Sequence, residues 1–262
     1  MALFVKEWKQ GTRTLAVWTL GIAAMLMVCI FLFPEMKHEM DSMTKLFANM
    51  GTFTKAFGMD LLNFGELSGF YGVECGNVIG IGGALFAAYL GAGMLSKEEK
   101  EHTAEFLMTH PVSRFCVVLQ KFLSVMIQLV VLNLVVSLLS WISIRVIGEQ
   151  FPAKEFVLLH GSYLLLQLEI GAICFGISAW IRRGSLGIGL GLAAVLYFLD
   201  LISNISTDAA LLQYITPFAY AKPAHILTAG SLDWGLAALG IVYGAVAAAA
   251  GFWWYCRKDL TA

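Results

Sequence analysis

Six long apolar runs constrain this chain more than any other feature. They lie at about 14–34, 71–95, 115–147, 156–181, 185–203 and 232–256. A helix crosses the hydrocarbon core of a bilayer with about 20 mostly apolar residues. Lipid offers no water to unpaired backbone groups, so each run is expected to be a helix. A transmembrane barrel is excluded, because its strands are short and alternate in polarity. The expected fold is all-α integral membrane, with six transmembrane helices in one domain spanning 1–262. Composition agrees: 59% of residues are hydrophobic and only 13% charged, too little charge to cover a water-facing surface. The net charge of −1 lacks the basic excess of a nucleic-acid binder. Cys29, Cys75, Cys116, Cys174 and Cys256 are scattered through or beside the runs without a CxxC pair. They read as small buried hydrophobes, not as a disulfide framework or a zinc site.

Basic residues orient the spans. With the N-terminus inside, eleven of the 17 Lys and Arg fall on the inner side, from Lys6, Lys9 and Arg13 to Arg182, Arg183, Arg257 and Lys258. Six fall outside: Lys37, Lys45, Lys55, Arg145, Lys154 and Lys222. This predicts both termini inside. Residues 1–12 are amphipathic, with Leu3, Phe4 and Trp8 among Lys6, Glu7 and Lys9. The first run is long enough to span and has no A-x-A-like site after it, so it is expected to be retained.

Two outer segments are more than loops. Met36, Met40, Met43, Phe47 and Met50 recur at helical spacing. They form either an interfacial helix on the outer leaflet or an adaptable lip for an apolar substrate. Segment 204–231 is moderately apolar but interrupted by Pro217 and Pro223. It reads as two short outer helices or a shallow re-entrant hairpin.

The informative stretch runs from Ser96 to Arg114, between the second and third spans. Ser96 with Glu99 has capping-box spacing, so a helix starts there. Pro111 marks its end. Glu98, Glu99, Glu101 and Glu105 make the first turns acidic, which suits the helix dipole. Phe106, Leu107 and Met108 give it an apolar tip, suited to plugging into a groove on a partner; an ordinary solvated loop is the alternative. The string Lys97-Glu98-Glu99, Thr103, Glu105-Phe106-Leu107, Pro111-Val112-Ser113-Arg114 resembles the signature of type-2 ATP-binding-cassette (ABC) permeases. His102 stands where that family commonly has Gly. The layout of amphipathic N-terminus, six spans and a broken segment before the last resembles the family as well.

The resemblance implies a permease that pairs with a second permease copy and sits on two copies of an ABC ATPase subunit. Residues 97–113 would be the coupling helix, and 1–12 an elbow helix. The chain has no G-x-x-x-x-G-K-[ST] motif to cradle phosphates, so ATP and Mg²⁺ would be held by the partner. The chain itself would need no cofactor and carry no catalytic residue or metal. It would sit in a bacterial cytoplasmic membrane. Exporters of amphipathic peptide toxins, such as the phenol-soluble modulins, resemble this layout; drugs, lipids and polysaccharides are the other substrate classes.

Within the spans, Gly72, Gly76 and Gly80 line one face of the second, and Gly187 and Gly191 lie in the fifth. Such small-residue faces pack helices closely, either within one subunit or along a sliding dimer seam. Polar groups in lipid are costly and often functional. Glu169 lies near the middle of the fourth span, with His160 further out. Glu74, Arg145 and Asp200 fall near outer span ends, where they could form ion pairs, for instance Arg145 with Glu74 or Asp200, or snorkel to the interface. An ion-driven transporter using Glu169, His160 and Asp200 is the alternative to the ABC reading, although no inverted repeat is visible. An intramembrane enzyme is disfavoured by the lack of H-E-x-x-H and G-x-S-x-G.

Overall fold

The structure, a computed structural model, describes residues 2–49, 51–100, 113–181 and 186–258. Helix α1 (Ala2–Asn49) is followed by a short α2 (Thr52–Ala56). Next come α3 (Leu67–Cys75), a π turn (Gly76–Ile81) and α4 (Gly82–Gly93), which together form one span, and a stub α5 (Lys97–Lys100). Then follow α6 (Arg114–Val146), α7 (Ala153–Ser178) and α8 (Leu186–Ile205). Two 3-10 turns (Thr207–Tyr214, Pro217–Ala221) and α9 (Pro223–Ala229) lead into α10 (Trp234–Arg257). Among the described residues there is no strand. Six helical stretches are long and apolar enough to cross a membrane, as the six runs predict.

The first span departs from expectation. Elbow, span and methionine-bearing segment are one 48-residue helix with Pro34 inside it. The change of amphipathicity near residue 12 changes what the helix faces, not whether it is helical. Gly11 costs only about 1 kcal/mol in a helix, and its bare Cα lets Gln128 of α6 pack where a side chain would collide. Thr12 Oγ1 donates to the Trp8 carbonyl at 2.8 Å. Around Pro34, which removes one backbone donor, packing holds the chain: Phe33 is fully buried, its ring 5.4 Å from that of Phe70. Of the methionine face, Met36 packs against the core. The side chains of Met40, Met43 and Phe47, and Met50 itself, lie outside the described residues.

The segment before the last span is three short pieces, not two. Pro217 and Pro223 each start a turn at the first helical position, where a missing N–H costs nothing. Gly230, at φ 61°, closes α9 in the left-handed region that favours glycine. Pro217–Ala221 is buried throughout, so this turn enters the bundle, as the re-entrant alternative expects.

Helix α7 is the hub, packed on α4, α6 and α10. The approaches are close because glycines remove the side chains between backbones. A β-carbon at Gly91 would lie 2.6 Å from the Gly171 carbonyl, and one at Gly251 would lie 2.7 Å from the Cα of Gly176. The α3–α4 span and α7 are mostly enclosed by their own chain, at 67% and 61%, whereas α8 is only 22% enclosed. Helix α8 therefore presents an open apolar flank that includes Val195, Phe198 and Ile202.

Candidate functional site

The charged stretch singled out in the sequence is rooted in a buried ion cluster. Three carboxylates, Glu7, Glu98 and Glu99, meet three ammonium groups, Lys97, Lys121 and Lys258. Lys121 on α6 is fully buried. Its Nζ lies 2.5 Å from Glu98 and 3.5 Å from Glu7, and donates to the Met94 carbonyl at 2.7 Å. Lys97 reaches Glu7 at 3.3 Å and also donates to Gln10. Glu99 pairs with Lys258 at 2.8 Å, just beyond α10. Lys258 also donates to the Ala179 carbonyl, and its own carbonyl accepts from Arg114 at 2.6 Å. Burying these charges is tolerable because each has an ion-pair partner, although one oxygen each of Glu7, Glu98 and Glu99 accepts no hydrogen bond among the described residues.

Both ends of the stretch are therefore fixed. Lys97, Glu98 and Glu99 tie one end to α1, α6 and α10, and Arg114 ties the other to α10. Helix α5 begins at Lys97 as predicted, but the capping box does not form. Glu99 is committed to Lys258, and the buried Ser96 hydroxyl has no hydrogen-bond partner among the described residues. Glu101, Thr103, Glu105, Phe106, Leu107 and Pro111 lie outside the described residues.

The intramembrane polar residues form separate clusters. His160 is held through both ring nitrogens, by Tyr71 Oη at 2.9 Å and Ser137 Oγ at 2.8 Å. Gln167 accepts from Asn133 at 2.7 Å and donates to the Ile79 carbonyl at 3.2 Å. That carbonyl lies in the π turn, where regular helix bonding is interrupted, so Gln167 satisfies the irregular backbone. Glu169 is buried and accepts from Tyr220 Oη at 2.9 Å. Its carboxylate lies where a Gly240 side chain would otherwise stand. The Tyr220 phenol is the donor in the bond to Glu169.

Neither ion pair suggested for Arg145 is found among the described residues. Arg145 stacks on Trp141, 4.7 Å from the ring centroid and one turn back along the same helix. Glu74 accepts from Cys29 Sγ at 3.6 Å. Asp200 pairs with Lys222 at 3.4 Å. The re-entrant segment supplies Lys222 beside Asp200, and Arg145 has a nearer aromatic face in its own helix.

Residues 1–260, essentially the whole chain, match the family described as ABC-2 family transporter protein. The chain belongs to the ABC-2 transporter family. It is thus the membrane-spanning permease part of an ABC transporter. No curated protein matches it.

In this ABC-2 permease the predicted glycine positions divide. Gly72, Gly76 and Gly80 face Leu227, Pro223 and Tyr163 of the same chain. Gly187 and Gly191 are exposed on α8, and a β-carbon at Gly191 would meet nothing within 4 Å. Sequence reading missed Glu7, Lys121, Lys258 and Tyr220 as cluster members. Lys121 carried a usable signal: a lysine two turns inside an apolar run needs a partner. Glu7 carried a weaker one, as an acid among basic neighbours.

The Glu169–Tyr220 bond gives a direct test. Tyr220→Phe removes the donor to a buried carboxylate and is expected to cost about 1–3 kcal/mol. Glu169→Gln keeps an acceptor for the phenol and should cost less. Thermal denaturation of both variants in detergent checks this. A larger loss for Glu169→Gln would show that its charge has another partner.

Proposed function

We propose that this ABC-2 permease is the transmembrane subunit of an ATP-driven exporter. It works as a dimer of permeases on two ATPase subunits, which hold ATP and Mg²⁺. Segment 97–113 is the coupling helix on the cytoplasmic side of a bacterial cell membrane, and both chain termini lie on that side. The cargo is amphipathic or apolar, because the spans carry few charges for a highly charged solute; the choice of an amphipathic peptide within that class rests on the resemblance to peptide-toxin exporters. Transport follows alternating access, with nucleotide binding closing the inner side.

The observation carrying this reading is the ion-paired root. A segment that receives force from a partner must pass it to several spans without slipping. Glu98 and Glu99 connect it to α6 and α10, and Lys97 connects it to α1. The exposed flank of α8, with Gly187 and Gly191, is the surface we assign to the second permease.

A charge swap tests the transmission. Glu99→Lys sets two ammonium groups against each other and should reduce ATP-dependent transport at least tenfold while an ATPase still co-purifies. Adding Lys258→Glu should restore most of it. Transport equal to wild type in Glu99→Lys would overturn the coupling role. Purification without any ATPase, together with transport driven by a pH gradient, would overturn the ABC-exporter reading.

A further inference from the structure

At the end of the bundle opposite the ion-paired root, a cavity of about 400 Å³ opens between α3, α8 and the Pro217–Ala221 turn. One wall carries a carboxylate. Asp200 is 6% exposed. Its Oδ2 accepts from Asn204 at 3.3 Å, and Asn204 is itself fixed by donating to the Ala56 carbonyl at 3.0 Å. Its Oδ1 is buried and accepts no hydrogen bond from the described residues. Lys222 Nζ approaches that oxygen at 3.4 Å, longer than the roughly 2.7–2.9 Å of a charge-assisted bond. The Lys222 side chain is 27% exposed, so it reaches Asp200 from the mouth of the cavity and is not enclosed there.

A second buried polar atom belongs to the same cavity. Tyr163 is 2% exposed, lines the wall, and its hydroxyl finds no partner among the described residues. Tyr197 and Phe218 complete the wall, with rings edge to face at 5.4 Å. A carboxylate oxygen short of donors, a phenolic oxygen and two aromatic rings complement an organic ammonium. The carboxylate supplies charge, the phenol accepts N–H, and the rings supply cation–π attraction. The volume falls within the usual range of small-ligand pockets, so it suits a headgroup or one side chain and not a folded cargo.

We propose that this cavity binds the primary ammonium group of an amphipathic ligand, with Lys222 as a tethered competitor that must swing away. Its place in an export cycle, as a station for ammonium-bearing cargo on the outward side, rests on the reading above; the binding does not. Removing Lys222 frees the carboxylate, so its loss strengthens binding where an ordinary contact residue would weaken it. The competing chemistry is an anionic headgroup held by Lys222, Lys55 and His225, which also line the cavity.

The test uses the full chain in maltoside micelles and radiolabelled n-decylammonium, with n-decyl sulfate as the anionic probe of equal tail. Decylammonium should bind saturably and resist displacement by decyl sulfate. Asp200→Asn should weaken it at least tenfold, and Lys222→Gln should strengthen it about fivefold. Unchanged or weaker binding in Lys222→Gln, or equal displacement by decyl sulfate, overturns the proposal. If Asp200→Asn does not fold, Lys222→Gln decides alone. Intact ammonium binding without ATP-driven export would overturn the export reading and leave the site standing. Export without ammonium binding would remove the site alone.

Discussion

Lys121→Met should destabilise the permease by about 3–5 kcal/mol, the cost of leaving buried carboxylates without their cation. Lys121 is fully buried, and Glu98 and Glu7 both lean on it. Glu7 keeps Lys97 at 3.3 Å, but Glu98 has no other ion-pair partner among the described residues. The double variant Lys121→Met with Glu98→Gln removes the stranded charge and should recover most of the loss. Thermal denaturation followed by size-exclusion chromatography in detergent measures both. A Lys121→Met protein that melts like wild type would mean the cluster is hydrated and contributes little. The double variant also separates stability from coupling. It should fold yet lack the link between α5 and α6, and so transport poorly.

Gly176→Val should be severely damaging. A β-carbon there collides with the Ala247 carbonyl, and Gly251 stands close on the same seam. Both neighbours are backbone, so no side chain can turn aside, and α10 must move away from α7. Overpacking of this kind costs about 1–3 kcal/mol, and more where backbone must shift. Glu169 and Tyr220 lie against the same two helices, so the damage should spread to their hydrogen bond. The expected result is loss of the monodisperse detergent-solubilised peak. Gly191→Val is the control, because that position is open. It should leave the single chain folded; if it nevertheless abolishes pairing of permeases, the exposed flank of α8 is the dimer seam. A stable Gly176→Val protein would show that α7 and α10 slide more freely than this packing suggests.

The spans were legible because hydropathy is a local property, and a long apolar run in lipid has one backbone solution. The start of α5 was legible from its acidic first turn, Glu98 and Glu99, although the capping box read at Ser96 does not form. Partner choice was not. Asp200 meets Lys222 because a segment broken by two prolines folds back into the bundle, and nothing near Asp200 in sequence announces this. Arg145 takes the ring of Trp141 instead of a distant acid because that ring is already one turn away. The resemblance implies an elbow helix at 1–12, but the sequence change there alters only which face is apolar, and the backbone continues as one helix from Ala2 to Asn49. Tyr220 was hidden because a tyrosine in an irregular segment looks the same whether it faces solvent or a buried carboxylate.

The unbroken α1 has a mechanical consequence. From Ala2 to Phe33, ahead of Pro34, it extends roughly 48 Å at about 1.5 Å per residue, against about 30 Å of hydrocarbon. The helix is therefore longer than the hydrocarbon is thick, and its N-terminal turns, a stiff extension of the span, carry Glu7 and Gln10. With no joint between the two parts, a push on the extension cannot be absorbed by bending. Pivoted at its N-terminal end, a rigid segment of that length turned by about 5° moves its far end by about 4 Å. One turn beyond Pro34, Lys37 is clipped to Glu149 at 2.6 Å, in the connection between α6 and α7. A tug on the N-terminal turns would therefore be felt along the whole segment ahead of Pro34, because nothing short of that proline interrupts it.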